Sequence, residues 1–432
     1  MPNEYDRRQV LRMAALGAIA IPIFGLPACS SGAGSAASRT IRFSWWGNPP
    51  RHTVTKQVLG LFEKKFPNIK VQAEFGGYAN YHDKLITEAA GHNAPDLMQI
   101  QQAFVSQFAS KGILADLKNV KGVKLDAFSA KGLEGGTYSG GLSALSFGDT
   151  APCVFYDVTM LKQAGLKLPA ENWTWDDFHS FSGKIQRAIG NGYAGSDDFS
   201  GSTWALEMWA RQHQNGVGVF TDNNLTLTKQ TATAWLQFWA DLRKEGLLVS
   251  PQIEAEVGGT DDTTPLIRKL APNFPNMTII QSALCAMTKN EIGMATFPGL
   301  DSGAKSQGWV TGSSWLGIYA GSKAPEETAT LLNFLLNDVD AGKLLKLDRG
   351  VPVNPEVAAA VKPLLSPLDL QQVNFVESTR NNTANPAYKV PAASAQETTS
   401  LKLVSANIAF GKASVSEGVD QFMTDVTKAL TS

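Results

Sequence analysis

Between residues 40 and 75 the apolar positions change period twice, and this restricts the architectures open to the chain. Ile41, Phe43 and Trp45 alternate with Arg42 and Ser44, the two-residue period of a half-buried strand. Trp46-Gly47-Asn48-Pro49-Pro50 forbids continuation and reads as a loop. Val54, Val58, Leu61, Phe62 and Phe66 then fall at helical spacing until Pro67-Asn68 stops the helix. Ile69, Val71, Ala73 and Phe75 alternate again. Strand, helix, strand is the sequence form of a right-handed crossover to a parallel neighbour, so an α/β sheet is expected. A second helical pattern follows at Tyr81, Leu85 and Ala89, and Ala94-Pro95-Asp96 leads into a third strand at Leu97-Met98-Gln99-Ile100. No fixed internal repeat accompanies these segments. Ligands of open α/β sheets bind where loops leave the C-terminal strand ends. That rule places Trp46 to Arg51, Gly76 to Tyr81, and Gln99 to Gln101 along one cleft edge.

About 400 residues beyond the leader are too many for one ordinary core and imply two domains. The net charge is −1 and no basic block occurs, which argues against a nucleic-acid partner. The leader itself carries an address. Arg7-Arg8 precede an apolar stretch from Met13 to Pro27, too short for an ordinary membrane span and followed by small residues. The paired arginines resemble a twin-arginine export signal, although Asp6 and Val10 depart from that pattern and leave the general secretory route open. Leu26-Pro27-Ala28-Cys29 resembles a bacterial lipobox, with residues 1–29 as the signal and Cys29 as the acylated mature N-terminus. Residues 30–39, rich in Ser, Gly and Ala, suit a flexible tether. The expected location is the extracytoplasmic face of the cell membrane, held by lipid. Of the three cysteines, Cys153 and Cys285 then remain, either as a disulfide in an oxidising compartment or as two small buried hydrophobes.

Further landmarks carry a family resemblance. Arg42-Phe43-Ser44-Trp45-Trp46-Gly47-Asn48 and Phe62-Glu63-Lys64-Lys65-Phe66-Pro67-Asn68-Ile69-Lys70-Val71 resemble the opening of the bacterial extracellular solute-binding proteins of family 1. Those proteins are the sugar-binding subunits of ABC importers. Ala94-Pro95-Asp96-Leu97, Gln163-Ala164-Gly165 with Trp173-Thr174-Trp175-Asp176-Asp177-Phe178, and Gly293-Met294-Ala295-Thr296-Phe297-Pro298-Gly299 follow in the family's order. Ser322-Lys323-Ala324-Pro325-Glu326 and Arg349-Gly350-Val351-Pro352 complete it, so that the resemblance covers nearly all of residues 40–430. It implies a type II periplasmic-binding-protein-like fold, with two α/β lobes closing on ligand about a hinge crossed more than once. Residues 40–147 with 308–349 would form the first lobe, and 150–300 with 355–432 the second. The crossings would lie at Ser143 to Thr150, near Pro298 to Gly308, and at Val351 to Pro355. The implied function is a monomeric, non-enzymatic receptor that binds a carbohydrate, a mono- or oligosaccharide, and delivers it to ABC importer permease subunits. No cofactor or metal is implied.

Sugars present hydroxyls and flat C–H faces, so their sites combine stacking rings with carboxylates, amides and arginines. Several of the ten tryptophans lie in polar, glycine-bearing segments and invite that reading. Trp46, Asn48 and Arg51 supply the combination in one loop, and Tyr78 follows Gly76-Gly77 on the next. Tyr81 falls on its helix's apolar stripe and reads as core. Asp96 and Gln99 flank the third strand, and Asp96 serves equally well as a turn-holding residue. Trp204 and Glu207 share a helical face after a polar loop containing Asp198. Ser313, Ser314 and Trp315 form a further polar-aromatic loop, and Asp149 and Arg349 complete the candidate set. Trp235, Phe238, Trp239 and Leu242 recur at helical spacing as a core stripe. Thr174 with Asp177 resembles a capping box.

Signals for catalysis are sparse. His52, His82, His92, His179 and His213 show no zinc spacing, and neither a nucleophile elbow nor a phosphate loop occurs. A secreted glycoside hydrolase needs two carboxylates, and Asp197, Asp198 and Glu207 would be its first suspects. This is the alternative to a receptor.

Overall fold

A computed structural model describes residues 38–431, apart from 79, 139, 191, 222–223, 258–260, 302–307, 383–388 and 392–393. The signal segment, Cys29 and the tether up to residue 37 lie outside the described residues, as does part of the expected crossing near Pro298 to Gly308.

The expected crossover is present. Strands β1 (Arg39–Trp46) and β2 (Ile69–Gly76) pair in parallel from Arg39 with Ile69 to Trp46 with Gly76, and helix α1 (Pro49–Lys65) connects them. Ile41, Phe43 and Trp45 are fully buried and pack with Val58, Leu59 and Phe62 of α1. On the opposite pleat, Arg42 reaches Glu74 of β2 at 2.6 Å. The loop before α1 is shorter than the sequence suggests. Asn48 caps the helix by accepting the Arg51 N–H at 3.0 Å, and Pro49 and Pro50 are its first residues. A proline there loses no intrahelical hydrogen bond, since those first N–H groups have no partner anyway.

Helix α2 (Tyr81–Ala90) and strand β3 (Leu97–Ile100) follow, then helix α3 (Gln102–Ser110). Strands β4 (Leu145–Thr150) and β8 (Thr311–Ile318) complete a five-stranded sheet in the order β2-β1-β3-β8-β4. The first three strands run parallel, whereas β8 is antiparallel to both β3 and β4. Gly312, Ser313 and Ser314, expected as a loop, belong to β8. The pairing with β4 slips between Gly312 and Ser314 and again at Trp315, so a bulge accommodates these polar residues within a central strand.

A second, antiparallel sheet has the order β6-β5-β7, from β5 (Pro152–Asp157), β6 (Asn273–Met277) and β7 (Ile292–Ala295). Its largest core gathers Trp175, Phe178, Trp209, Trp235 and Trp239. Helix α4 (Trp175–Ile189) opens with the expected capping box of Thr174 and Asp177. Helices α5 (Thr203–His213), α6 (Lys229–Lys244), α7 (Ser394–Ala409) and α8 (Val415–Thr431) surround that core. Trp235, Trp239 and Leu242 of α6 are buried as the stripe implies.

A single residue, Ala151, separates β4 from β5. Beside it the Thr150 and Thr278 hydroxyls meet at 3.0 Å, and Asp149 exchanges backbone hydrogen bonds with Val351 at 2.7 and 2.8 Å. Ala151, Val351, Val373 and Val376 form a small apolar cluster at this junction. The helix Pro355–Val361 packs on the helix Val339–Leu345 through Gly342 and Val357. In the helix Pro367–Asn382 that follows, Gln371 accepts a hydrogen bond from Gln281. Cys153 and Cys285 are free and lie in one apolar cluster.

Candidate ligand-binding cavity

A cavity of 1270 Å³ opens between the two sheets, lined by residues from both. From the five-stranded side come Tyr78 after β2, Gln101 and Gln102 after β3, Phe104 and Gln107 of α3, and Thr311 to Ser313 of β8. The parallel strands thus contribute their C-terminal ends, as the rule for open α/β sheets requires. Tyr78 is half exposed, and its hydroxyl donates to Gln101 at 2.5 Å. Gln102 accepts from the Thr311 hydroxyl at 2.8 Å, fixing one amide beneath the wall.

From the other side come the turn Asp197 to Trp204, Arg243, Glu254, residues Phe274 to Met277, and α7. Local capping builds the turn. Asn273 accepts the Asp197 N–H at 2.8 Å, Asp198 accepts the Ser200 N–H at 2.9 Å, and Ser202 caps α5. Trp235 donates its indole N–H to the Ser200 carbonyl at 3.0 Å, which ties the turn to the aromatic core. Arg243 pairs with Asp198 at 2.6 Å, the two side chains being only 11% and 6% exposed, and it also donates to the Ser200 hydroxyl.

Three further carboxyls face the same end. Asp197 is 4% exposed and shares a hydrogen bond with Glu254. Burial lifts the Asp197 carboxyl, against the pull of the Asp198 N–H that it accepts. Burial lifts Glu254 further, reinforced by the charges of Asp197 and Asp198, so Glu254 keeps its proton and donates to Asp197. Glu397 of α7, also 4% exposed, is pushed well above the usual carboxylate range by burial first and by Glu207 second.

Of the residues singled out in the sequence, Tyr78, Asp197, Asp198, Trp204 and Ser313 line the cavity, as does Gln101 of the expected cleft edge. The rest are engaged elsewhere. Trp46 is 9% exposed and packs among Tyr78, Tyr81 and His82. Asn48 is the α1 cap, and Arg51 pairs with Asp348 at 3.3 Å. Asp96 sits at the far, N-terminal end of β3, where it accepts from Arg42 N–H at 2.8 Å and the Ser322 hydroxyl at 2.6 Å. Gln99 is buried and accepts from Arg349 at 3.2 Å, while Arg349 also donates to Thr55 at 3.0 Å and pairs with Asp348. Asp149 pairs with Arg380 at 2.7 Å beside the junction. Glu207 turns inward to Arg211 at 2.6 Å and the Val219 N–H at 2.7 Å. Ser314 and Trp315 are 2% exposed, with Trp315 pressed against Gly135 and Gly136. As hydrolase suspects, Asp198 and Glu207 are thus each matched by an arginine. Gln101 falls on the cleft edge expected at Gln99 to Gln101, whereas Gln102, Phe104, Glu254 and the α7 residues were not anticipated. The α7 residues carried only a weak signal, small and hydroxyl side chains at helical spacing around a lone Glu397.

The sequence profile described as bacterial extracellular solute-binding protein matches residues 59–366. The chain belongs to that family. The solute-binding protein is 27% identical to an extracellular solute-binding protein family 1 structure from Alicyclobacillus acidocaldarius, with a TM-score of 0.71 over 92% of this chain and 100% of that one. A periplasmic oligogalacturonide-binding protein from Yersinia enterocolitica, in complex with saturated digalacturonic acid, superposes with a TM-score of 0.78. It is 21% identical and covers 91% of this chain and 100% of that one, a likeness of fold. Among curated relatives, the arabinooligosaccharide-binding protein of Bacillus subtilis is 27% identical over 51% of this chain and 52% of its own length. An uncharacterized lipoprotein of Streptomyces antibioticus is 28% identical over 39% of this chain and 38% of its own length. The solute-binding protein therefore matches about half or less of the length of these two relatives. Its mixed α/β architecture is the two-lobe fold of periplasmic solute-binding proteins.

Proposed function

We propose that this protein is a lipid-anchored receptor on the extracytoplasmic face of the membrane, which binds an oligosaccharide and delivers it to an ABC importer permease. The observation that carries this reading is the cavity's lining, in which Tyr78, Phe104 and Trp204 alternate with amide and hydroxyl side chains from both sheets. Rings offer apolar faces to sugar C–H surfaces, and amides and hydroxyls serve the sugar hydroxyls. The volume of 1270 Å³ exceeds the roughly 300–1,000 Å³ common for small-molecule pockets, which favours several sugar units over one. The lobes are residues 40–147 with 308–349, extended by the helix Pro355–Val361, and 150–300 with the helices from Pro367 onward. Ligand touching both lobes favours the closed form, because closure completes its contacts, and the permease reads that form. Family membership and the oligosaccharide-binding proteins named among its relatives support this assignment.

Thermal-shift screening of the purified protein against mono- and oligosaccharides tests it, since a bound ligand raises apparent stability by mass action. A rise in melting temperature with an oligosaccharide is expected. No response to any carbohydrate, with a response to a peptide instead, defeats the reading. For the anchor, Cys29→Ala is expected to release the protein from membranes, because stable attachment requires more than one acyl chain. Retention of that variant in the membrane fraction after a salt wash defeats the anchoring claim.

A further inference from the structure

Behind the cavity wall supplied by the five-stranded sheet lies a side chain that meets three of its residues at once. His82 of α2 is 5% exposed and is not itself part of the lining. Its ring lies parallel to that of Phe104 on α3, with 6° between the planes and 4.1 Å between the centroids. It meets Tyr78 edge-on at 5.7 Å and 76°. Its Nε2 accepts the backbone N–H of Gln101 at 3.2 Å. Tyr78, Gln101 and Phe104 all face the cavity. Gln101 immediately precedes α3, so this bond ties the start of that helix to α2.

These contacts fix the state of the imidazole. A backbone N–H can only donate, so Nε2 holds a lone pair and the neutral ring carries its proton on Nδ1. Burial favours the same form and lowers the His82 pKa to about 4. The titratable groups that the ring meets, Tyr78 and Tyr81, are phenols that burial also keeps neutral. Trp46 of β1 packs on the ring at 5.2 Å, which holds it in place from the sheet.

Resting on the carbohydrate-receptor reading, we propose that His82 is the positioning residue for sugar binding on this wall. It sets the plane of Phe104 and the place of Gln101 without touching ligand, so that ring and amide meet one sugar together. The imidazole covers one face of Phe104 and leaves the opposite face for a sugar's C–H surface. A ring already held in one orientation has less rotamer freedom to lose on binding, and that preorganisation appears as affinity. The hydrogen bond to Gln101 does the same for the backbone from which the amide and α3 extend.

Calorimetric titration tests this with the tightest binder among gluco-, galacto- and arabino-oligosaccharides of two to four units. His82→Ala is expected to weaken that sugar on the order of tenfold, the scale of one well-placed hydrogen bond. In a Phe104→Ala background the same change should cost less than about threefold, because the ring that His82 orients is gone. His82→Gln, whose amide oxygen can accept the Gln101 N–H, should bind more tightly than His82→Ala. Should His82→Ala not fold, His82→Gln and His82→Phe, each keeping one of the two contacts, carry the same cycle. Independently of ligand, nitrogen NMR of the wild-type imidazole at pH 6 is expected to show a neutral ring with its lone pair on Nε2. A proton on Nε2 at that pH, an undiminished loss in the Phe104→Ala background, or wild-type affinity in His82→Ala overturns the proposal and leaves the receptor reading intact. Failure of every oligosaccharide to bind the wild-type protein overturns both.

Discussion

The two walls of the cavity differ in kind. Among the described residues, the wall from the five-stranded sheet contains no carboxyl, ammonium, guanidinium or imidazole. It offers Tyr78, Gln101, Gln102, Phe104, Gln107 and Ser313. The opposite wall carries Asp197, Asp198, Glu254, Glu397 and Arg243 and rests on a core of tryptophans. One wall thus presents rings, amides and hydroxyls, and the other presents carboxyls and a guanidinium. The five-stranded side keeps its charged residues behind the surface or beside the junction, as with Arg349 against Gln99, Arg51 against Asp348, and Asp149 against Arg380. The difference teaches that ionisable residues near a cleft sort into two groups, those matched by a partner and those left facing the space.

The largest expected effect tests whether the charged wall depends on its aromatic backing. Trp239 is fully buried and packs against Phe178, Phe199 and Trp235. Trp239→Ala should cost about 3–5 kcal/mol of stability, read by denaturant unfolding, with the folded fraction still binding sugar. A stability close to the wild type would mean that the wall does not stand on that core.

Next is the division of stacking between the walls. Trp204→Ala and Tyr78→Ala should each weaken binding by about 2 kcal/mol, roughly thirtyfold. Trp204 also packs against the tryptophan core, so its variant should lose some stability as well, whereas the half-exposed Tyr78 should not. Equal melting temperatures for the two variants would erase this distinction.

The smallest effect concerns the charge itself. Burial raises the Glu397 carboxyl, so the folded state holds a proton that the unfolded chain releases once the pH exceeds the ordinary glutamate value. Stability is therefore full below that value and declines as the pH rises toward the folded one. Glu397→Gln removes the decline. Its melting temperature should exceed that of the wild type by on the order of 2 °C at pH 7.5, with no gain at pH 4. A gain of the same size at both values would point to packing instead of ionisation.

Much of the framework was legible along the chain, because strand and helix periods, caps and proline stops are local. The β1–α1–β2 crossover, the core stripe of α6 and the Thr174–Asp177 capping box could each be read from neighbouring residues. The cavity was harder to see. Tyr78, Asp198, Trp204 and Ser313 were identified because they follow glycines, lie in or just after a polar loop, or sit in a polar-aromatic segment. Trp315 and Glu207 carried similar local signals, yet the fold presses one against Gly135 and Gly136 and pairs the other with Arg211. A strand covered on both faces shows no alternation that separates core from cleft. Nor does helical pitch say which neighbour will meet a given face.

What the sequence determined by itself was therefore the alternation of strand and helix, the edge at which the parallel strands end, and the resemblance carried by its ordered landmarks. Tertiary structure alone decided which polar groups found partners and which were left to face the cavity. Arg243 reaches Asp198 from another helix, Glu254 meets Asp197, and α7 brings Ser394, Glu397 and Ser405 to the same wall from far along the chain. Burial and charge pairing depend on distance in space, and spacing along the chain does not encode that distance.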